Sequence, residues 1–236
     1  MIAAMDTTQS AIIRSRPGFF GALDQSGGST PKALAAYGVD ADRYANEKEM
    51  YDLVHAMRTR IVTDTAFDGT RVIAAILFEQ TMNRTVDGLP TGRYLWEKKQ
   101  VVPFLKVDKG LADLAHGVRL MKPIDALDEV LAQANRHQMF GTKMRSVIVD
   151  ADPAGIQAIV DQQFELAGRI GSAGLVPILE PEVSITSPHK AEAEEILRDA
   201  LQRGVAALPP DAVIVFKLTI PTRVGLYAEL AADPRV

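Results

Sequence analysis

No cysteine occurs anywhere in the 236 residues. That absence excludes thiol nucleophiles, Cys-ligated zinc, iron–sulfur clusters and disulfide frameworks together. Only four histidines remain as soft ligands, His55, His116, His137 and His189, and none stands in a paired or i,i+4 spacing. The residues therefore predict no metal and no cofactor. Long apolar runs are also missing: the longest, Val72–Phe78, is far short of the ~20 residues that a membrane-spanning helix needs. The opening stretch MIAAMDTTQSAIIRSRP has neither a cationic head nor a continuous apolar core, which reads against a secretory leader and for a cytoplasmic protein. Nor is charge of one sign in large excess. Twenty-six Lys and Arg face 30 Asp and Glu, a net charge of −4 without a long basic block, so neither nucleic acid nor a membrane is an expected partner. A small polar substrate is.

What is present belongs to a globular protein. With 47% hydrophobic residues, a chain of this length buries roughly 70% or more of its unfolded surface and needs no disulfide or structural metal. Six apolar runs read as strands: Phe19–Asp24, Arg71–Glu79, Val101–Asp108, Thr142–Val149, Leu175–Val183 and Val213–Ile220. Between them lie segments of helical spacing, including 47–62 and 154–170, the second with Ile156, Ile159, Val160, Phe164, Ala167 and Ile170 on one stripe. Ser187 and Pro188 read as the cap and first turn of a further helix that Gly204 closes.

Strands alternating with helices imply a parallel sheet, either open or closed as a (β/α)8 TIM barrel. The barrel is favoured. No G-x-G-x-x-G or G-x-x-x-x-G-K-[ST] loop occurs, and ionisable residues sit in or at the ends of several strands, as when a barrel gathers its chemistry at one face. At about 39 residues per unit, eight units need roughly 315 residues. The expectation is a single barrel domain over 1–236 with about six β/α units, lacking its last two.

Three lysines, Lys106, Lys143 and Lys217, fall within strand runs. Lys217 in AVIVFKLTI has the most apolar neighbours, which predicts burial. An amine in apolar surroundings beside a second cation gives up its proton more readily and becomes a nucleophile. A lysine at a strand end that snorkels to water is the competing reading. Glu180 and Glu182 stand at i and i+2 in LVPILEPEV, so a strand turns both carboxylates to one face, suited to acid–base work. Asp24 and Asp108 close strand runs. The segment DQSGGSTPK combines glycines with Ser29 or Thr30 as a helix cap.

Taken together, ALDQSGGSTPKAL (22–34), PFLKVDKG (103–110), GTKMRS (141–146), GLVPILEPEV (174–183) and VFKLTIPT (215–222) resemble class I fructose-bisphosphate aldolase, in particular its bacterial branch. The resemblance runs in order from about Gly18 to the last residue. It implies a barrel with a Schiff-base lysine on the sixth strand, at Lys217, and a metal-independent lyase of glycolysis and gluconeogenesis that cleaves fructose 1,6-bisphosphate. It further implies active-site roles for Glu180, Glu182, Lys143 and Asp24, and substrate contacts from Lys106, Arg145, Ser26 and Ser29. In that scheme Lys143 keeps Lys217 deprotonated by like-charge repulsion, Glu180 shuttles protons, Glu182 balances charge and Asp24 orients lysines and sugar hydroxyls.

Two departures stand out. Gln25 follows Asp24 where the animal enzymes carry glutamate, and the family's late Ser-Gly-Gly loop and phosphate-binding arginine have no counterpart within 1–236. The alternatives are therefore an impaired, aldolase-like remnant acting at most as a binding protein, and another Schiff-base sugar-phosphate aldolase such as a transaldolase. Open strand edges also leave room for self-association.

Overall fold

Every position of Val72–Leu77 is buried, the unbroken apolar pattern of a strand covered on both faces. It is one of six strands that carry the fold: β1 (Phe19–Leu23), β2 (Val72–Leu77), β3 (Val102–Lys106), β4 (Gly141–Ile148), β5 (Val176–Val183) and β6 (Val215–Phe216). The helices used below are α1 (Thr30–Ala36), α2 (Glu47–Thr63), α3 (Pro153–Ser172) and α4 (Lys190–Ala206). The computed structural model describes residues 7–236, so the first six residues of the N-terminal stretch lie outside the described residues. The described chain divides into two units, one of residues 7–106 and 132–141, the other of 107–131 and 142–236.

In the first unit β1, β2 and β3 run parallel, with Leu23 opposite Leu77 and Leu77 opposite Leu105. Helix α2 starts where the Asn46 side chain accepts from the Glu49 N–H at 3.0 Å. Its Met50, Val54 and Met57 recur at helical spacing and pack with Leu34 of α1 into one apolar cluster.

In the second unit β5 lies beside β4 and pairs parallel with β6. A short segment, Val118–Arg119, adds an antiparallel pairing to the end of β4, which the sequence pattern does not announce. Helix α3 begins at Asp152, whose side chain accepts from the Gly155 N–H at 2.9 Å, with Pro153 in the first turn. Ile156, Ile159, Val160, Ala167 and Ile170 are buried along the stripe that their spacing predicts.

Two boundaries differ from expectation. Helix α4 starts at Lys190, not after Ser187, because the Ser187 hydroxyl accepts from the His189 N–H at 3.3 Å and closes a turn ahead of the helix. Gly204 lies inside α4 and does not end it. A Cβ there would stand 2.7 Å from the Phe164 ring, so this glycine permits α3 and α4 to approach. Strand β6 is two residues long, where eight are predicted. The Ile214 N–H donates to the Arg235 carbonyl at 2.8 Å, so at the front of the predicted strand this donor is spent outside the sheet. Among the described residues, no helix is long and apolar enough to cross a membrane.

Candidate active site

Strands β4 and β5 place two cations opposite two carboxylates. On β4, Lys143 and Arg145 stand two residues apart and share one face; on β5, Glu180 and Glu182 do the same. The rungs match. Lys143 Nζ lies 2.7 Å from Glu180 Oε2, and Arg145 Nη1 donates to Glu182 Oε2 at 3.0 Å.

The inner rung is dry and the outer one is wet. Lys143 and Glu180 side chains are 6% and 5% exposed, while Arg145 and Glu182 are 40% and 36% exposed. Two charges withdrawn from water this far are tolerable because each has the other; removing one partner of such a pair typically costs about 3–5 kcal/mol. The contact of Lys143 with Oε2 is close enough for an ion pair but is not aligned as a hydrogen bond. Burial alone would lower the Arg145 guanidinium. Its bond to Glu182, with the charges of Glu182, Glu180 and Asp108, outweighs burial and holds it above its ordinary value.

Lys217 completes the cluster. It follows β6 directly, its backbone N–H donates to the Leu179 carbonyl at 2.9 Å, and its Nζ donates to Glu180 Oε1. Glu180 thus bridges two amines, one on each of its oxygens. The expectation that Lys217 is buried is corrected: its side chain is 44% exposed. The reason lies in β6, which among the described residues is flanked by β5 alone, so only one side of the lysine meets a strand. An accessible amine bonded to a buried carboxylate combines the two readings that the sequence leaves open, a reactive lysine and one at a strand end.

The other predicted site residues belong to the first unit. Asp24 follows β1 and is buried, and Lys106 ends β3 half-buried. Ser26 and Ser29 form a closed turn: the Ser29 hydroxyl donates to the Ser26 carbonyl at 2.9 Å and accepts from its N–H at 3.2 Å. That turn corrects the capping role for Ser29, which sits at the N-cap of α1 without a side-chain cap bond. Thr30 is fully buried and is the first residue of the helix.

The sequence reading misses Arg58. From α2 it reaches the Gln25 carbonyl with Nη2 and the Thr81 hydroxyl with Nη1, both at 2.6 Å, and only 1% of it is exposed. Burial lowers the guanidinium to about 10, against the opposing charge of Asp24, and leaves it cationic at neutral pH. The signal was available: Met50, Val54, Arg58 and Val62 are four residues apart, which puts an arginine in line on a buried stripe.

The fold and these clusters define the β/α-barrel class, and comparison with known proteins agrees. The aldolase of Plasmodium falciparum, solved in complex with TRAP and a small-molecule inhibitor, superposes with a TM-score of 0.73 at 21% identity, over 97% of this chain and 71% of that one. It is a match of fold. The glycolytic family model described as "Fructose-bisphosphate aldolase class-I" matches residues 5–218. The "Fructose-bisphosphate aldolase class 1" of Synechocystis sp. (strain ATCC 27184 / PCC 6803 / Kazusa) is 56% identical over 216 residues, 92% of this chain and 72% of that relative. The chain belongs to the class I fructose-bisphosphate aldolase family.

Proposed function

We propose that this chain cleaves fructose 1,6-bisphosphate reversibly to dihydroxyacetone phosphate and glyceraldehyde 3-phosphate through an imine on Lys217. The observation that carries the reading is the bridging of Lys143 and Lys217 by one buried carboxylate, Glu180. The attacking form of a lysine is the neutral amine, and Glu180 Oε1 stands where it can take a proton from the Lys217 ammonium. The amine then adds to the C2 ketone. The carbinolamine loses water as Glu180 returns a proton to the leaving hydroxyl, and the protonated imine remains. That cation is the electron sink: the C4 hydroxyl gives its proton to a carboxylate, the C3–C4 bond breaks, and its electron pair enters the enamine. Glyceraldehyde 3-phosphate leaves. Protonation at C3 and hydrolysis of the imine release dihydroxyacetone phosphate and restore the amine.

Lys143 holds positive charge against Glu180 Oε2 through these transfers, which keeps the buried carboxylate compensated whenever it is ionised. Arg145, forked and half-exposed, suits a phosphate, and Glu182 holds it in place until the substrate arrives. Asp24 supplies a carboxylate for lysines and sugar hydroxyls, and Lys106, Ser26 and Ser29 supply phosphate and hydroxyl contacts; their support is the match of their motifs to the family. The reaction belongs to glycolysis and gluconeogenesis in the cytoplasm, in keeping with the glycolytic description of the family. The test is turnover of fructose 1,6-bisphosphate by wild type and by Lys217→Met. Loss of turnover in the variant, with its fold retained by circular dichroism, is expected; full activity would overturn the reading.

A further inference from the structure

Strand β6 meets its neighbour through two residue pairs only, Ile178 with Val215 and Leu179 with Phe216. A ladder this short cannot by itself hold the residue that follows it, and that residue is Lys217. Beyond the Lys217 N–H bond to Leu179, the chain from Leu218 to Arg223 has no regular structure. Its attachment is made by side chains.

Thr219 Oγ1 donates to the Val183 carbonyl at 2.8 Å, which fastens the segment to the end of β5. The remaining fasteners come from the first turns of α4. Glu194 Oε2 accepts from the Thr222 N–H at 2.8 Å. Its other oxygen takes a bond from Lys190, whose Nζ also donates to the Ile220 carbonyl at 2.9 Å and the Thr222 hydroxyl at 3.2 Å. Next to it, Glu195 accepts from Arg223 Nε at 2.9 Å.

Glu194 differs from the ordinary charges of a helix surface. Only 1% of it is exposed, and both carboxylate oxygens are used. Burial would raise its carboxyl, yet the bonds from Lys190 and Thr222 hold it below its ordinary value, so it is an anion throughout the physiological range. A buried anion that spends one oxygen on a backbone N–H just five residues past a reactive lysine is poorly explained by solubility or helix propensity.

We infer that Glu194, with Lys190 bound to it, is a positioning residue for the reaction: it fixes the 218–222 segment and thereby the place of the Lys217 amine against Glu180. The inference rests on the reading that Lys217 forms the imine. Binding of the sugar phosphates is expected not to depend on it, because both Glu194 oxygens are already taken, by Lys190 and by the Thr222 N–H. Its signature is a slower imine step at unchanged substrate affinity.

The test uses the full chain with dihydroxyacetone phosphate and borohydride, reading the rate of adduct formation at Lys217 by peptide mapping beside kcat and KM for fructose 1,6-bisphosphate. In Glu194→Ala the trapping rate and kcat are expected to fall together by about 10–100-fold, the usual cost of misplacing a reacting group by an ångström, with KM within about twofold. Glu194→Gln keeps an oxygen for the Thr222 N–H but turns its amide N–H groups toward Lys190, and is expected to restore part of the rate. Thr219→Val loosens the same segment from its β5 end without touching α4, and is expected to lower trapping and kcat with the same unchanged KM. It also serves if the Ala variant does not fold. Adduct formation at the wild-type rate in folded Glu194→Ala, or in Thr219→Val, would overturn the positioning role. An adduct on another lysine in the wild type would overturn the imine assignment on which the inference rests.

Discussion

Arg145 donates to Glu182 at 3.0 Å, one rung beyond the buried contact of Lys143 with Glu180. Two carboxylates two residues apart are thereby given unlike partners and unlike exposure. One is buried and paired with two amines, and the other faces a guanidinium half in water. Equal side chains acquire separate surroundings from their places on the strand.

For Glu180 the proposed task is proton transfer, and Glu180→Gln keeps the shape while removing the proton-accepting carboxylate. A loss in kcat of about 10²–10⁴-fold, the usual range for a general acid–base group, is expected. Steady-state assay gives kcat, and borohydride trapping shows whether imine formation slows with it. Unchanged kcat would remove Glu180 from the proton pathway.

Arg145→Ala separates binding from chemistry. A charged contact to a phosphate contributes about 1.5–3 kcal/mol, so KM for fructose 1,6-bisphosphate is expected to rise about 10–150-fold while imine trapping at saturating substrate persists. An Arg145→Lys variant recovers only part, because its single ammonium cannot form two parallel bonds.

In the proposed scheme the imine supplies the electron sink, so turnover is expected to survive incubation with EDTA and subsequent desalting. The assay is run beside a zinc-dependent aldolase as a control. Activity lost in the chelator and restored by zinc would contradict the scheme.

The sequence made much of this site legible, for reasons that are local. Charged residues inside apolar runs are conspicuous, which is why Lys143, Glu180 and Lys217 stood out, and continuous apolar runs marked all six strands. Exposure was not legible: nothing in AVIVFKLTI says that the strand has a neighbour on only one side among the described residues. Pairings distant in sequence were hidden as well. Arg58 reaches Gln25 across 33 positions, and Gly204 reads as a helix stop until Phe164, 40 residues earlier, is seen to fill its space.

That close approach gives a stability test. Phe164 is half-buried, its ring centroid 6.3 Å from that of Phe216, which precedes Lys217. Gly204→Val drives a side chain into the ring. Overpacking of this kind costs about 1–3 kcal/mol, more than the gain in helix propensity from removing a glycine. Thermal melting should show a lower Tm; a rise would mean that Phe164 moves freely.

At the N-terminus of α4, His189 Nδ1 lies 2.6 Å from Asp150 Oδ1. The bond to Asp150, together with its charge, raises the His189 imidazole above its ordinary value near 6.5 and lowers the Asp150 carboxyl. The stabilisation from the raised imidazole is fully present below pH ~6.5 and is lost as pH rises through the higher folded-state value. NMR titration of His189 is expected to give a midpoint that falls in Asp150→Asn. An unchanged midpoint would show that the pair does not form in solution.

The central claim is that Lys217 is the amine that forms the imine. It is tested most directly by reducing the wild-type protein with borohydride in the presence of dihydroxyacetone phosphate and mapping the adduct by mass spectrometry. A single adduct on the peptide containing Lys217, absent from Lys217→Met, is predicted. An adduct on Lys106 or Lys143, or none while turnover continues, would contradict the account.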